Sequence, residues 1–310
     1  SGNYSRGSFV PTPITGVAPI TDPLASLASP MITPCKLAPI AAAGGYPGNG
    51  SQPAGGSSFE VPARVYGKGI SLDGNFTAVT FQSGIYGNAI TLSGDIGTTM
   101  FNPGQYQAAA GQDSIDISGA TNAIFKPGNY TFCGPVSLTG NDTVTLSPGT
   151  YEGGIQIGNN VRSVTFNPGT YIIDGGGISV PGGATLSGSG VTFFLAGGAA
   201  YAPVILSGNS RVNLSAPVSG PFKGILFFQD RSVAAGDSAD DSVISGDAGS
   251  TFDGALYFPT TGLTYAGDSS AGGYTFLIAD RITVMRNAKL GNDYSSLQDG
   301  PPIKSTALYE

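Results

Sequence analysis

Phe81-Gln-Ser-Gly84-Ile-Tyr86, Phe101-Asn-Pro-Gly104-Gln-Tyr106, Phe125-Lys-Pro-Gly128-Asn-Tyr130, Leu146-Ser-Pro-Gly149-Thr-Tyr151 and Phe166-Asn-Pro-Gly169-Thr-Tyr171 are copies of one phrase, starting 20, 24, 21 and 20 residues apart. An apolar residue, two linkers, a glycine, one variable residue and a tyrosine recur in that order. A repeat of roughly 20–30 residues marks a stacked solenoid, because one such unit cannot bury its own apolar face.

Between these copies runs a second phrase, aliphatic-x-aliphatic-x-Gly. It reads Ile70-Ser-Leu72-Asp-Gly74, Ile90-Thr-Leu92-Ser-Gly94, Ile115-Asp-Ile117-Ser-Gly119 and Val136-Ser-Leu138-Thr-Gly140, then continues at Ile178–Gly182 and Val204–Gly208. Alternation puts the aliphatic side chains on one face and Ser, Thr and Asp on the other, the signature of a strand buried on one side. Glycine closes each strand at a corner, and the Pro-Gly pairs of the first phrase form another. The chain therefore reads as all-β, a parallel β-helix of roughly 9–10 coils with strands about 4.8 Å apart, a rod of about 45 Å. Phenylalanines are expected inside as a ladder. The tyrosine ladder fits either an inward corner or the surface. An antiparallel sandwich would explain the alternation but not the fixed order of phrases. With Gly at 49 and Pro at 22 of 310 residues, helix is confined to a short window at Pro23–Leu27.

Residues 1–60 carry no repeat and are rich in Pro, Gly, Ala and Ser, so they read as an extended N-terminal arm, with residues 61–310 as the β-helix domain. Such an arm orders only when held by its own rod or by a neighbour, and it is expected to reach onto the next subunit. The two cysteines, Cys35 and Cys133, fit one disulfide in an oxidising compartment, tying the arm to the third or fourth coil. The chain opens on Ser1-Gly2 without methionine and reads as processed or truncated, with any signal or anchor expected to be already gone. No stretch has transmembrane length; the most apolar window, Val191–Leu206, contains Gly197, Gly198 and Pro203.

Charged residues make up only 11% and the net charge is −7, which argues against nucleic acid as a partner. Histidine and tryptophan are absent, which removes Ser-His-Asp and Cys-His catalysis and the usual sugar-stacking indole. From about Ala199 the phrases loosen. Gly224–Ser232, Ala255–Pro259 and Thr275–Arg281 look like stacked successors, with Asp230-Arg231 and Asp280-Arg281 at strand ends. Between the first two lies an acidic loop. Its Asp237, Asp240, Asp241 and Asp247 are candidate Ca²⁺ ligands, although they lack EF-hand order. The same aspartates, with Asp230, Arg231 and Asp253, are what a polysaccharide-cleaving β-helix enzyme would use. The competing reading makes the Asp-Arg pairs corner salt bridges or caps and the loop a solvated one, and it is preferred because fold alone carries no activity. An ice-binding solenoid would need a regular threonine face; Thr143-Val-Thr145 has the spacing, and Thr77-Ala-Val-Thr80 breaks it.

Several longer stretches resemble a known family. DPLASL at Asp22–Leu27, NPGTYIIDGGG at Asn167–Gly177, GILFFQDRS at Gly224–Ser232, DGALYFP at Asp253–Pro259, LGNDYSSLQDG at Leu290–Gly300 and the ending from Ile303 are similar to the C-terminal region of TadG-like proteins. Those belong to bacterial tight-adherence (Tad/Flp) pilus systems and related β-helical surface proteins. The family's N-terminal membrane helix is missing here, which leaves the anchoring mode open. The resemblance implies an extracellular or cell-surface role in adhesion or biofilm, and carries no catalytic residue. The expectation is thus a non-enzymatic extracellular structural protein, self-assembling head to tail into a filament or associated with pilus components, without a cofactor other than the Ca²⁺ considered above. The alternative is a carbohydrate-binding adhesin or a polysaccharide-cleaving enzyme.

Overall fold

Each coil turns through three short strands, because apolar residues recur in alternation between glycine corners. The computed structural model describes residues 21–32, 35, 56–140, 142–206, 209–267, 273–286, 288–297 and 300–303. Most of the expected arm and the ending from Lys304 lie outside the described residues. The described strands number 26 and make a β-solenoid of about ten coils. Face A stacks Ser58–Val61, Phe76–Phe81, Ile96–Phe101, Ala120–Phe125 and their successors to Arg211–Ser215. Face B begins at Val65–Tyr66 and reaches Val191–Ala196 and Ile225–Gln229. Face C begins at Ile70–Asp73 and reaches Ser242–Gly246. Thr251–Gly267 then runs around all three faces, and Thr275–Met285 closes the rod on faces B and C. Every strand pairing is parallel, which disposes of the antiparallel sandwich; the one antiparallel bridge among the described residues joins Tyr274 and Asn292. Outside the strands, the helical turns among the described residues are two 3₁₀ turns, Gly198–Ala200 and Ser238–Asp240.

The first phrase is a corner with its tyrosine inside. Tyr66, Tyr86, Tyr106, Tyr130, Tyr151 and Tyr171 are all buried, and each hydroxyl donates to the carbonyl four residues earlier at 2.5–2.8 Å. One hydroxyl thus satisfies a turn carbonyl that the strand ladder leaves over. The neighbouring phenylalanines stack, Phe81 on Phe101 at 4.9 Å and Phe101 on Phe125 at 4.6 Å between centroids. The tyrosines, however, do not form one unbroken row. Tyr66, Tyr86 and Tyr106 are in register, but Phe132 takes the next place, opposite both Tyr106 and Tyr151, while Tyr130 lies opposite Gly149. A slip of two residues keeps the same side chains inward, so the strand period does not resist it.

The corner glycines serve two needs. Gly128 and Gly169 sit at φ 145° and 137°, where other residues are strained. Gly119 answers to stacking instead, since a Cβ there would lie 2.1 Å from the Gly94 carbonyl oxygen of the previous coil. Along face C the aliphatic rows keep register from Ile70 to Val204, and Ile155-Gln-Ile157-Gly158 fills the place between Val136 and Ile178 where the sequence reading has no copy.

Candidate functional site

The outward side chains of face B change character along the rod. One outward row runs Gln105, Thr131, Thr150, then Ile172, Phe194, Phe228, Tyr257 and Ile278. The apolar half of that row forms a second hydrophobic cluster outside the solenoid core, with Leu24, Ala255, Phe276, Leu297 and Ile303 packed into it. It is therefore covered by the described part of the arm, residues 21–32, and by the segment after the last coil. The arm folds back along its own rod here, contrary to the expectation that it reaches onto a neighbour, because Ile172, Phe194 and Phe228 offer apolar area next to a cation.

That cation is Arg231. Its Nε donates to Asp22 Oδ2 at 2.8 Å, and its terminal nitrogens donate to the Leu27 carbonyl at 3.1 Å and to the Leu24 carbonyl. The guanidinium lies over the rings of Phe228 and Tyr257, 5.3 and 5.4 Å from their centroids. Tyr257 donates to the same Asp22 oxygen at 2.8 Å. Burial pushes the Asp22 carboxyl up, but the bonds from Arg231, Tyr257 and the Leu24 amide outweigh it and hold the group below its ordinary value. Further along, Cys35 is bonded to Cys133 of the fourth coil with Cα atoms 5.6 Å apart, and its amide donates to Glu152 Oε1 at 3.0 Å. The arm is thus strapped to face B at two heights.

The acidic loop does not gather into a cation site. Asp237 Oδ1 accepts the Ala239 amide at 2.7 Å, capping the 3₁₀ turn. Asp241 Oδ1 accepts the Gly262 amide at 2.8 Å and Arg281 at 2.7 Å. Asp240 is in the turn itself, and Asp247 stands beyond strand Ser242–Gly246. Among the described residues no three of these carboxylates share a centre; the one such cluster is Cys35, Cys133 and Glu152, whose sulfurs are bonded to each other. The four aspartates named for calcium, Asp237, Asp240, Asp241 and Asp247, are thus not gathered around one centre. Arg281 engages Asp241 and backbone amides engage Asp237 and Asp241, while Asp247 Oδ1 is buried without a hydrogen-bond partner among the described residues. Two further carboxylates are engaged: Asp230 caps the Ser232 amide at 2.7 Å, and Asp253 accepts the Gly273 amide at 2.7 Å.

Two surfaces remain open. On the outer side of face A, a groove of about 470 Å³ is lined by Thr165, Ser187, Asn213, Ser215, Thr251 and Asp253. Burial raises the Asp253 carboxyl above its ordinary value, partly offset by the Gly273 and Tyr274 amides. The other surface is the C-terminal end of the rod. Ile282 and Val284 stand opposite Leu263 and Tyr265, in inward rows of face C, yet each is 36% exposed, and Met285 is 47% exposed. The far edge of strand Thr275–Met285 has no strand partner among the described residues. The first coil is different: its inward Ile70 and Leu72 are only 3% exposed. The disulfide half of the strap was legible in the sequence; the Asp22–Arg231 clasp and the exposed rows at Ile282-Thr-Val284 were not.

No protein-family model, no curated protein and no solved structure matches this chain. No described helix is long and apolar enough to cross a membrane.

Proposed function

We propose that this chain is a non-enzymatic structural protein of the bacterial cell surface that assembles with itself or with components of a tight-adherence pilus. The observation that carries the reading is the C-terminal end of the rod, where Ile282, Val284 and Met285 meet solvent beside a strand edge that has no strand partner among the described residues. Such an edge is a template for another chain, and soluble proteins usually blunt it with a charge or proline in the strand. Here the residues between Arg281 and Arg286 are Ile-Thr-Val-Met. The Cys35–Cys133 bond supports an oxidising, extracellular setting. The resemblance to TadG-like chains supports the pilus context. Three of the aspartates a polysaccharide lyase or hydrolase would use, Asp230, Asp237 and Asp241, are spent on caps and on Arg281, which favours a structural over a catalytic role.

Sedimentation velocity and negative-stain microscopy over a concentration series test the reading. Assemblies that grow with concentration, or that form on adding pilus proteins, are expected; monomers throughout would overturn it. A second reading, binding of a glycan, is favoured by the groove that sets Thr, Ser and Asn side chains beside Phe166, Pro168 and Leu214 and ends at Asp253. A glycan array with the Asp253→Asn variant as control decides that one.

A further inference from the structure

We infer that the partner of the open end is a second copy of this chain, joined tail to tail about a two-fold axis through Thr283. The inference rests on the reading above, that this end is an assembly surface, and it replaces the head-to-tail filament expected from the repeat. Three observations carry it.

The two ends of the rod are unlike. A head-to-tail joint needs an open apolar face at both ends, but Ile70 and Leu72 of the first coil are buried like residues of the middle coils, whereas Ile282 and Val284 are not. Among the described residues the apolar inward rows left exposed are at the tail, beside the segment that carries Ala288, and a tail can meet another tail only through an isologous contact.

The edge strand is also complementary to itself. It reads Asp280-Arg281-Ile282-Thr283-Val284-Met285-Arg286. Antiparallel pairing centred on Thr283 sets Ile282 of one copy opposite Val284 of the other, joining the two inward rows into one core. The same register sets Asp280 opposite Arg286 at each end, two opposite-charge pairs in one contact. Both residues are exposed, Asp280 at the corner between faces B and C and Arg286 just past the strand, where the chain turns away at φ 62°.

The charge within the strand is already compensated. Arg281 is held by Asp241 and Asp280 at 2.7 and 2.6 Å, so bringing two such edges together does not set bare cations against each other. An isologous joint closes on itself, so the product is a dimer with its heads pointing outward.

Cysteine cross-linking distinguishes the modes. In the antiparallel register Thr283 faces its own copy across the axis at a Cα separation of about 4.5–5.5 Å, within disulfide reach. Thr283→Cys alone should therefore give a covalent dimer under mild oxidation, because both native cysteines are already bonded to each other. Ser71 occupies the same outward row as Thr283 at the other end of the rod, so a mixture of Ser71→Cys and Thr283→Cys proteins should give no mixed product. In sedimentation the native chain should saturate as a dimer. Val284→Lys should raise the dissociation constant at least tenfold, and Asp280→Arg should weaken the dimer until Arg286→Asp is added to it. Filaments together with Ser71–Thr283 cross-links would overturn the two-fold joint and leave the assembly reading standing. Monomers without any cross-link would overturn both.

Discussion

A tyrosine four residues after a carbonyl is the smallest device in this rod, and it explains why the phrase ends as it does. The ring fills the coil corner and the hydroxyl pairs the turn carbonyl, so Tyr106→Phe removes the bond to the half-buried Asn102 carbonyl. A loss of about 1–2 kcal/mol is expected in urea unfolding. Burial, reinforced by the neighbouring Tyr86 and Tyr130, also drives the Tyr106 pKa far above its ordinary value. The folded state therefore keeps the phenol neutral, and this stability, intact below pH 10, is lost as pH rises above it and unfolded tyrosines ionise. Thr99 presents the reverse situation. It is fully buried in a row with Val79 and Ala123, and its hydroxyl has no partner among the described residues. Thr99→Val keeps the shape and removes the orphan, so thermal and urea unfolding should show a gain of about 1 kcal/mol.

The strap is where element-scale behaviour departs from the repeat. Residues 21–32 are held by the Asp22–Arg231–Tyr257 cluster and by apolar contact with the outward row of face B. The Asp22 carboxyl is held below its ordinary value, so the strap's electrostatic stabilisation is present above pH 3.8 and is lost as pH falls through and below that value. Hydrogen exchange in residues 21–32 should therefore accelerate selectively in acid, before the coils open. Asp22→Asn should reproduce the release at neutral pH, at a cost of about 1.5–3 kcal/mol for losing charge-assisted bonds. Unchanged protection in that variant would mean that Leu24 and its apolar neighbours hold the strap unaided.

At the scale of the whole molecule the ends and the crosslink set the behaviour. The Cys35–Cys133 bond spans 98 residues, from the arm to the fourth coil. In the chain-entropy account a loop of that length stabilises by about 4–5 kcal/mol. Cys133→Ser should lower the urea midpoint accordingly, and reduction of the native protein should do the same. The coils are built mainly from contacts between successive turns, so the rest of the rod should stay cooperative in both experiments.

The parallel β-helix was legible in the residues themselves. Phrases 20–24 residues apart, apolar alternation and glycine corners admit one way of burying the apolar faces. That Phe81, Phe101 and Phe125 stack inside followed from the same pattern. The tertiary structure alone decided where the tyrosines point, since a phenol suits a corner or a surface until a carbonyl is found within reach. It also decided the two-residue slip at Tyr130, which alternation cannot detect. The clasp joins Asp22 to Arg231, 209 positions apart, and no local pattern encodes such a distance. The engagement of the acidic loop was hidden for the same reason, because Arg281 reaches Asp241 across 40 positions. Local periodicity specifies a coil. Which coil is left open, and what covers the others, depends on how the ends of the chain fold back on the stack.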